Sequence, residues 1–242
     1  MNKIVWFRYD LRLIDNDAFL NAIKNGNILP IFIFDKNYFK SEISSSFHLK
    51  FITDSLIELD NKLQKDFGTN LNIYYGDTLE ILKKIIDKFK INEVFSNKVF
   101  KNKLLNNLDS NLKTFFISKK IKWNLYNQFG IQLNHRERYK WSANWNKFIN
   151  SDITIGKSNC KFLFDQKLNN FSIIETNQFE NKSIQKGGRK YALELLDSFI
   201  DTRSENYQKE MSSPISGEKS CSRLSPHITY GNISLKEIYN KT

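Results

Sequence analysis

Apolar positions along the first half of the chain alternate between two rhythms. Short β-branched and aromatic runs at Ile4 to Phe7, Ile28 to Phe34, Leu71 to Tyr75, Glu93 to Ser96 and Lys122 to Tyr126 predict five strands. Helical spacing fills the gaps between them. A short helix is expected from Asp17 behind an Asn16 cap. A longer one starts near Ser46, carries Leu49, Ile52, Leu56, Leu59 and Leu63 on one face, and stops at Gly68. Leu82, Ile85, Ile86 and Phe89 mark the next helix, and Leu104, Leu108, Leu112 and Phe115 another. Strands separated by helices imply crossovers, hence a doubly wound, five-stranded parallel α/β sheet. No G-x-G-x-x-G follows the first strand, so the fold is Rossmann-like without the dinucleotide-binding turn.

The alternation stops after residue 127. Residues 128–186 mix polar positions with isolated aromatics and read as a linker crossing the first domain, with Trp141, Trp145 and Phe148 as its expected anchors. A second helical rhythm begins after Gly187-Gly188, where Ala192, Leu195, Leu196, Phe199 and Ile200 share one face. Another helix is expected from Ser234, with Glu237 in capping-box position. The expected organisation is an α/β domain at 1–127, a linker at 128–186 and the first helices of an all-α domain at 187–242.

Composition narrows the class. Hydrophobic residues make up 40% of the 242 and aromatics 14%, enough for a packed core. The net charge of +11 suits a protein that neutralises phosphates, although the Lys, Asn and Ile richness is also what an AT-rich coding sequence produces. Cys160 and Cys221 have no paired spacing for a disulfide framework or a zinc site. No apolar run reaches membrane-spanning length, and no signal peptide is apparent. The expectation is a cytoplasmic protein without membrane contact.

Two polar strings carry candidate chemistry. The first, Trp6-Phe7-Arg8-Tyr9-Asp10-Leu11-Arg12-Leu13-Ile14-Asp15-Asn16, packs two arginines, two aspartates and an asparagine into the turn after strand one. That turn lies at the carboxyl edge of the sheet, where ligands and partner domains sit. Arg8, Asp10, Arg12 and Asp15 could form an acid–base group; a buried or interfacial ion-pair network holding the two domains together is the favoured reading. The second is Ser222-Arg223-Leu224-Ser225-Pro226, followed by Gly231, Ile233 and Ser234. Two hydroxyls and a forked guanidinium in one loop make a phosphate cradle; in isolation an S-R-x-S string is more often a helix-capping loop.

Together, in this order, the two strings resemble the DNA photolyase and cryptochrome family, whose members read W-F-R-x-D-L-R-x-x-D-N near the start and S-R-L-S-P at the opening of a helical FAD domain. The resemblance implies a light-driven flavoenzyme, deoxyribodipyrimidine photolyase, that repairs cyclobutane pyrimidine dimers in DNA by electron transfer from reduced FAD. It implies that Tyr207, Cys221, Ser222, Arg223, Leu224 and Ser225 line the FAD, and that the full-length protein is a monomer. It assigns no catalytic acid or base and no metal. The alternatives are a cryptochrome-type blue-light sensor and a non-catalytic nucleotide-binding module. The chain departs from the pattern at Cys221, where Thr is usual, at Met211, where photolyases place an Arg with Lys209 the nearest cation, and at Asn102-Lys103, where folate-antenna members carry Asn-Glu. The last departure argues against a folate-type antenna, although His48 lies where some relatives contact one. Tyr139 to Ser142 matches the family's linker only loosely. Family residues for the isoalloxazine and for most of the DNA surface lie beyond position 242, so the chain is expected to be an N-terminal fragment, inactive alone. His48, His135 and His227 have no metal spacing and are expected at the surface or core edge. Residues 135–138 are expected in a solvated turn, and Tyr74 and Tyr75 in the strand core.

Overall fold

The computed structural model describes residues 1–100, 102–130, 140–156, 158, 160–165 and 185–242. Five parallel strands, β1 (Asn2–Phe7), β2 (Asn27–Asp35), β3 (Asn72–Gly76), β4 (Ile91–Asn97) and β5 (Lys122–Tyr126), lie in the order β3-β2-β1-β4-β5. The central strands β1, β2 and β4 are largely buried on both faces, since side chains alternate across the pleat and helices cover each side, whereas the edge strand β5 is partly exposed. Val5 and Phe7 join Ile28, Phe32 and Phe34 on one face, covered by α1 (Asp17–Ala22) and α3 (Ser46–Phe67). Ile4 and Trp6 join Leu29, Ile31 and Ile33 on the other, under α4 (Thr78–Phe89) and α5 (Lys103–Ser118). A one-turn α2 (Lys36–Phe39) follows β2. The helix starts are capped as the sequence reads: Asn16 accepts from Phe19 N–H at 3.2 Å, and α3 ends at a left-handed Gly68.

The stretch expected as a linker is, over its described residues, more structured than its composition implies. It contains α6 (Trp141–Ile149) and a two-residue strand β6 (Lys161–Phe162), which pairs in parallel with Asn27–Ile28 of β2 as a sixth strand. The expected aromatic anchors are only partly so. Trp141 is 55% exposed and stacks on half-buried Trp145, while Ile149 is the buried residue of α6. The firmest tether is Asp165, fully buried, whose carboxylate takes the Tyr74 hydroxyl at 3.2 Å and Lys88 Nζ at 2.6 Å. Tyr75 faces solvent at the strand edge, in contrast to buried Tyr74. Residues 135–139 lie outside the described residues.

The remaining helices are α7 (Arg189–Asp201), a 3-10 turn (Arg203–Asn206), α8 (Tyr207–Glu210), α9 (Gly217–Ser220), α10 (Ser225–Thr229) and α11 (Leu235–Lys241). Ala192, Leu196, Leu224 and Ile233 form their small core. Two glycines let this segment dock tightly on the α/β unit. A Cβ on Gly187 would lie 2.0 Å from the Phe51 carbonyl oxygen, and one on Gly231, which has φ +68°, 2.4 Å from that of Tyr9.

Candidate functional site

Doubly wound sheets bind ligands where the strand order reverses, here between β1 and β4. In this chain that crevice is closed by the signature loop itself. Asn97, at the end of β4, donates to Asp10 Oδ2 at 2.6 Å and to Asn16 Oδ1 at 2.8 Å. Asp10 also accepts the Arg8 N–H at 2.7 Å. Two of the loop's other charged residues reach the helical segment. Arg12, fully buried, donates to the Gly231 carbonyl at 3.0 Å and to the Asp15 carbonyl at 2.8 Å. Asp15 pairs with Lys236 of α11 at 3.0 Å, both almost fully buried. Arg8 departs from the expected network. Its guanidinium lies over the Trp6 ring and pairs with Asp109 of α5, inside the α/β unit.

His227 is fully buried at the same junction, rather than at the surface or core edge. Its Nδ1 is 3.1 Å from Asn232 Oδ1, and its ring meets the edge of Phe51 on α3. Burial pushes the imidazole down to about 4, against smaller opposing contributions from Asn232 and Gly188. His48 caps α3 by accepting the Ser45 N–H at 3.1 Å.

Beside the junction, at the carboxyl edge of β1 and β2, Tyr9, Tyr38 and Phe39 line a cavity of about 40 Å³. Asn102 acts as the N-cap of α5, accepting from Leu105 N–H at 3.0 Å.

The loop from Cys221 to Ser225 has a different character. Three successive carbonyls are turned inward. Arg203 donates from one guanidinium nitrogen to Cys221 O and from the other to Ser222 O, and Gln185 donates to Arg223 O at 2.6 Å. In a trans peptide the N–H points opposite to the carbonyl of the same plane. The N–H groups of Ser222 and Arg223 therefore face away from Arg203, and neither donates a hydrogen bond within the described residues. Arg223 sits at φ +59°, which lets consecutive planes turn the same way. Its guanidinium, one-third exposed, meets Glu218 at 3.1 Å. The Ser225 side chain opens α10 and is exposed.

The loop thus carries two amides without a hydrogen-bond acceptor among the described residues, two hydroxyls and a guanidinium shared with Glu218, donor types suited to an oxyanion. Cys221, Ser222, Arg223 and Ser225 are brought together by the loop. Leu224 contributes only main chain, because its side chain is in the helical core. Tyr207 stands one-third exposed on α8, its ring edge-on to Phe199 at 5.8 Å. Arg203 and Gln185 escaped the sequence reading, since their partners are carbonyls 18 and 38 residues away and no periodicity links them.

The family model for DNA photolyase matches residues 3–123, half of the chain. Cryptochrome-1 of Anopheles gambiae is 32% identical over 103 residues, covering 39% of this chain and 19% of that protein. The deoxyribodipyrimidine photo-lyase of Agrobacterium fabrum is 28% identical over 263 residues, covering 99% of this chain and 52% of the relative. The chain thus spans about half the length of that relative, and less of the mosquito protein. Among solved structures, an archaeal photolyase from Sulfolobus tokodaii with two FAD molecules superposes with a TM-score of 0.76 at 23% identity, over all of this chain and 55% of that one. That likeness speaks for the fold alone. With the family model covering half of the chain, from β1 through β4 and including the signature loop at the switch point, the chain belongs to the DNA photolyase family.

Proposed function

We propose that this chain carries the α/β domain and the flavin-phosphate cradle of a deoxyribodipyrimidine photolyase, which splits cyclobutane pyrimidine dimers in DNA with light and FAD. The observation that carries the reading is the loop at 221–225, where inward-turned carbonyls leave the Ser222 and Arg223 amides facing away from Arg203 beside the Arg223 guanidinium. A pyrophosphate has the charge and the acceptor oxygens to use such a set. On this reading residues 1–127 are the α/β domain, 128–186 the linker and 187–242 the start of the flavin domain. FAD would supply the photochemistry when bound. The chain's own residues bind and orient: Ser222, Arg223 and Ser225 would hold phosphate oxygens, Cys221 and the Leu224 main chain would shape the turn, and Tyr207, packed on Phe199, would contact the cofactor from α8. The net charge of +11 favours approach to a DNA backbone.

A cryptochrome-type sensor is the second reading, favoured by the 32% identity to the mosquito cryptochrome. The two are separated by survival of an ultraviolet-irradiated, photolyase-deficient bacterium carrying the whole open reading frame that contains this chain. Photolyase function predicts more survivors under blue light than in darkness, with loss of dimers from the DNA. Equal survival in light and dark, with a flavin-containing product, would favour the sensor.

A further inference from the structure

The guanidinium of Arg203 is the most heavily committed cation near the cradle, and it touches no acid among the described residues. Its Nε donates to Ser198 Oγ at 3.1 Å, and its two terminal nitrogens reach Leu195 O at 2.6 Å, Cys221 O, and Ser222 O at 3.3 Å. Its plane lies near the Phe199 ring, the same ring that Tyr207 meets edge-on. One side chain thus ties the end of α7 to two consecutive peptide planes of the loop. We propose that Arg203 is a positioning residue for flavin phosphate: by holding Cys221 O and Ser222 O, it keeps the amides of Ser222 and Arg223 aimed outward as anion donors. This deepens the flavin-cradle reading and rests on it.

The geometry needs a fork. Two carbonyls of adjacent planes and a third on α7 are satisfied from one planar group, which a lysine ammonium cannot reproduce with the same fixed directions. The charge is of secondary use, because Arg203 stands behind the loop. Burial, and then the nearby Arg223, push its guanidinium down from the usual range. If the carbonyls were released, the planes could flip and present oxygen rather than N–H toward the phosphates, opposing an anion instead of attracting one.

The test compares the affinities of FAD and riboflavin, which lacks phosphates, for the full chain and for Arg203→Met and Arg203→Lys, by flavin fluorescence titration on protein shown by circular dichroism to be folded. The wild-type chain should bind FAD more tightly than riboflavin. Arg203→Met should cut that preference by about tenfold, the effect of losing one to two charge-assisted contacts. Arg203→Lys should lose most of it too, although its charge is kept. Riboflavin affinity should stay unchanged throughout, whereas general damage to the fold would weaken both ligands. A folded Arg203→Lys chain with the wild-type preference overturns the positioning role and leaves the cradle reading standing. A wild-type chain with no preference for FAD overturns the cradle reading, and this proposal with it.

Discussion

Removing the ammonium of Lys236 should cost far more than removing any surface cation of this chain. Lys236 joins α11 to the signature loop through Asp15 at 3.0 Å, with side-chain exposures of 8% and 5%. It also donates to the Asp152 carbonyl at 3.3 Å and lies over the Phe148 ring. Lys236→Met keeps the aliphatic stem and leaves the Asp15 carboxylate buried without its cation. Breaking a buried pair in this way costs about 3–5 kcal/mol. With an m value of roughly 2–3 kcal/mol/M in urea, the low end of that cost lowers the unfolding midpoint by about 1–1.5 M. Asp15→Asn with Lys236→Met should recover a large part of the loss, since the stranded charge is then absent. Lys62→Met, which breaks the solvent-exposed pair with Asp66, should stay within about 0.5–1 kcal/mol of wild type. The assay is urea denaturation followed by tryptophan fluorescence and by circular dichroism. A Lys236→Met chain as stable as Lys62→Met would refute the claim that the signature braces the two segments.

Two further outcomes follow from the same junction. The His227 imidazole sits near 4 in the folded chain against about 6.5 when unfolded, so the unfolded chain binds the extra proton between those values. Its contribution is therefore present above pH 6.5 and lost as pH falls toward 4, up to about 3 kcal/mol. His227→Gln should flatten the urea midpoint against pH over that window, and an unchanged slope would contradict the burial argument. Gly187→Ala should destabilise by more than about 2 kcal/mol, because its Cβ would lie 2.0 Å from the Phe51 carbonyl oxygen; thermal melts within a degree of wild type would contradict the close docking.

How much of this was legible beforehand depended on whether the signal was local. The strands and long helices were, because the period of apolar positions reports burial directly: Ile4 and Trp6 against Val5 and Phe7 already separate the two faces of β1. The caps at Asn16 and Ser234 were legible for the same reason, each partner lying within one turn. The sixth strand was not, since Lys161-Phe162 is too short to show alternation and forms only because β2 offers a free edge beside β3. Trp141 runs against the expectation because aromatic identity does not by itself imply burial, whereas a fully buried aspartate, Asp165, ties this stretch to β3 and α4. In the candidate site, the residue types of the 221–225 loop were readable as a phosphate cradle. The direction of its amides was not, because it is set by Arg203 and Gln185 from distant parts of the chain. Likewise the signature's acids and bases were visible, but their division was not: Arg8 serves the α/β unit, while Arg12 and Asp15 reach Gly231 and Lys236.

The central claim, that flavin phosphate is held by this loop, is tested most directly by amide resonances of the isotope-labelled chain during titration with FAD. The Ser222 and Arg223 amides should shift downfield as they acquire phosphate acceptors, and inorganic pyrophosphate should move the same two signals while riboflavin leaves them in place. FAD that perturbs signals elsewhere and leaves Ser222 and Arg223 unmoved would contradict the account.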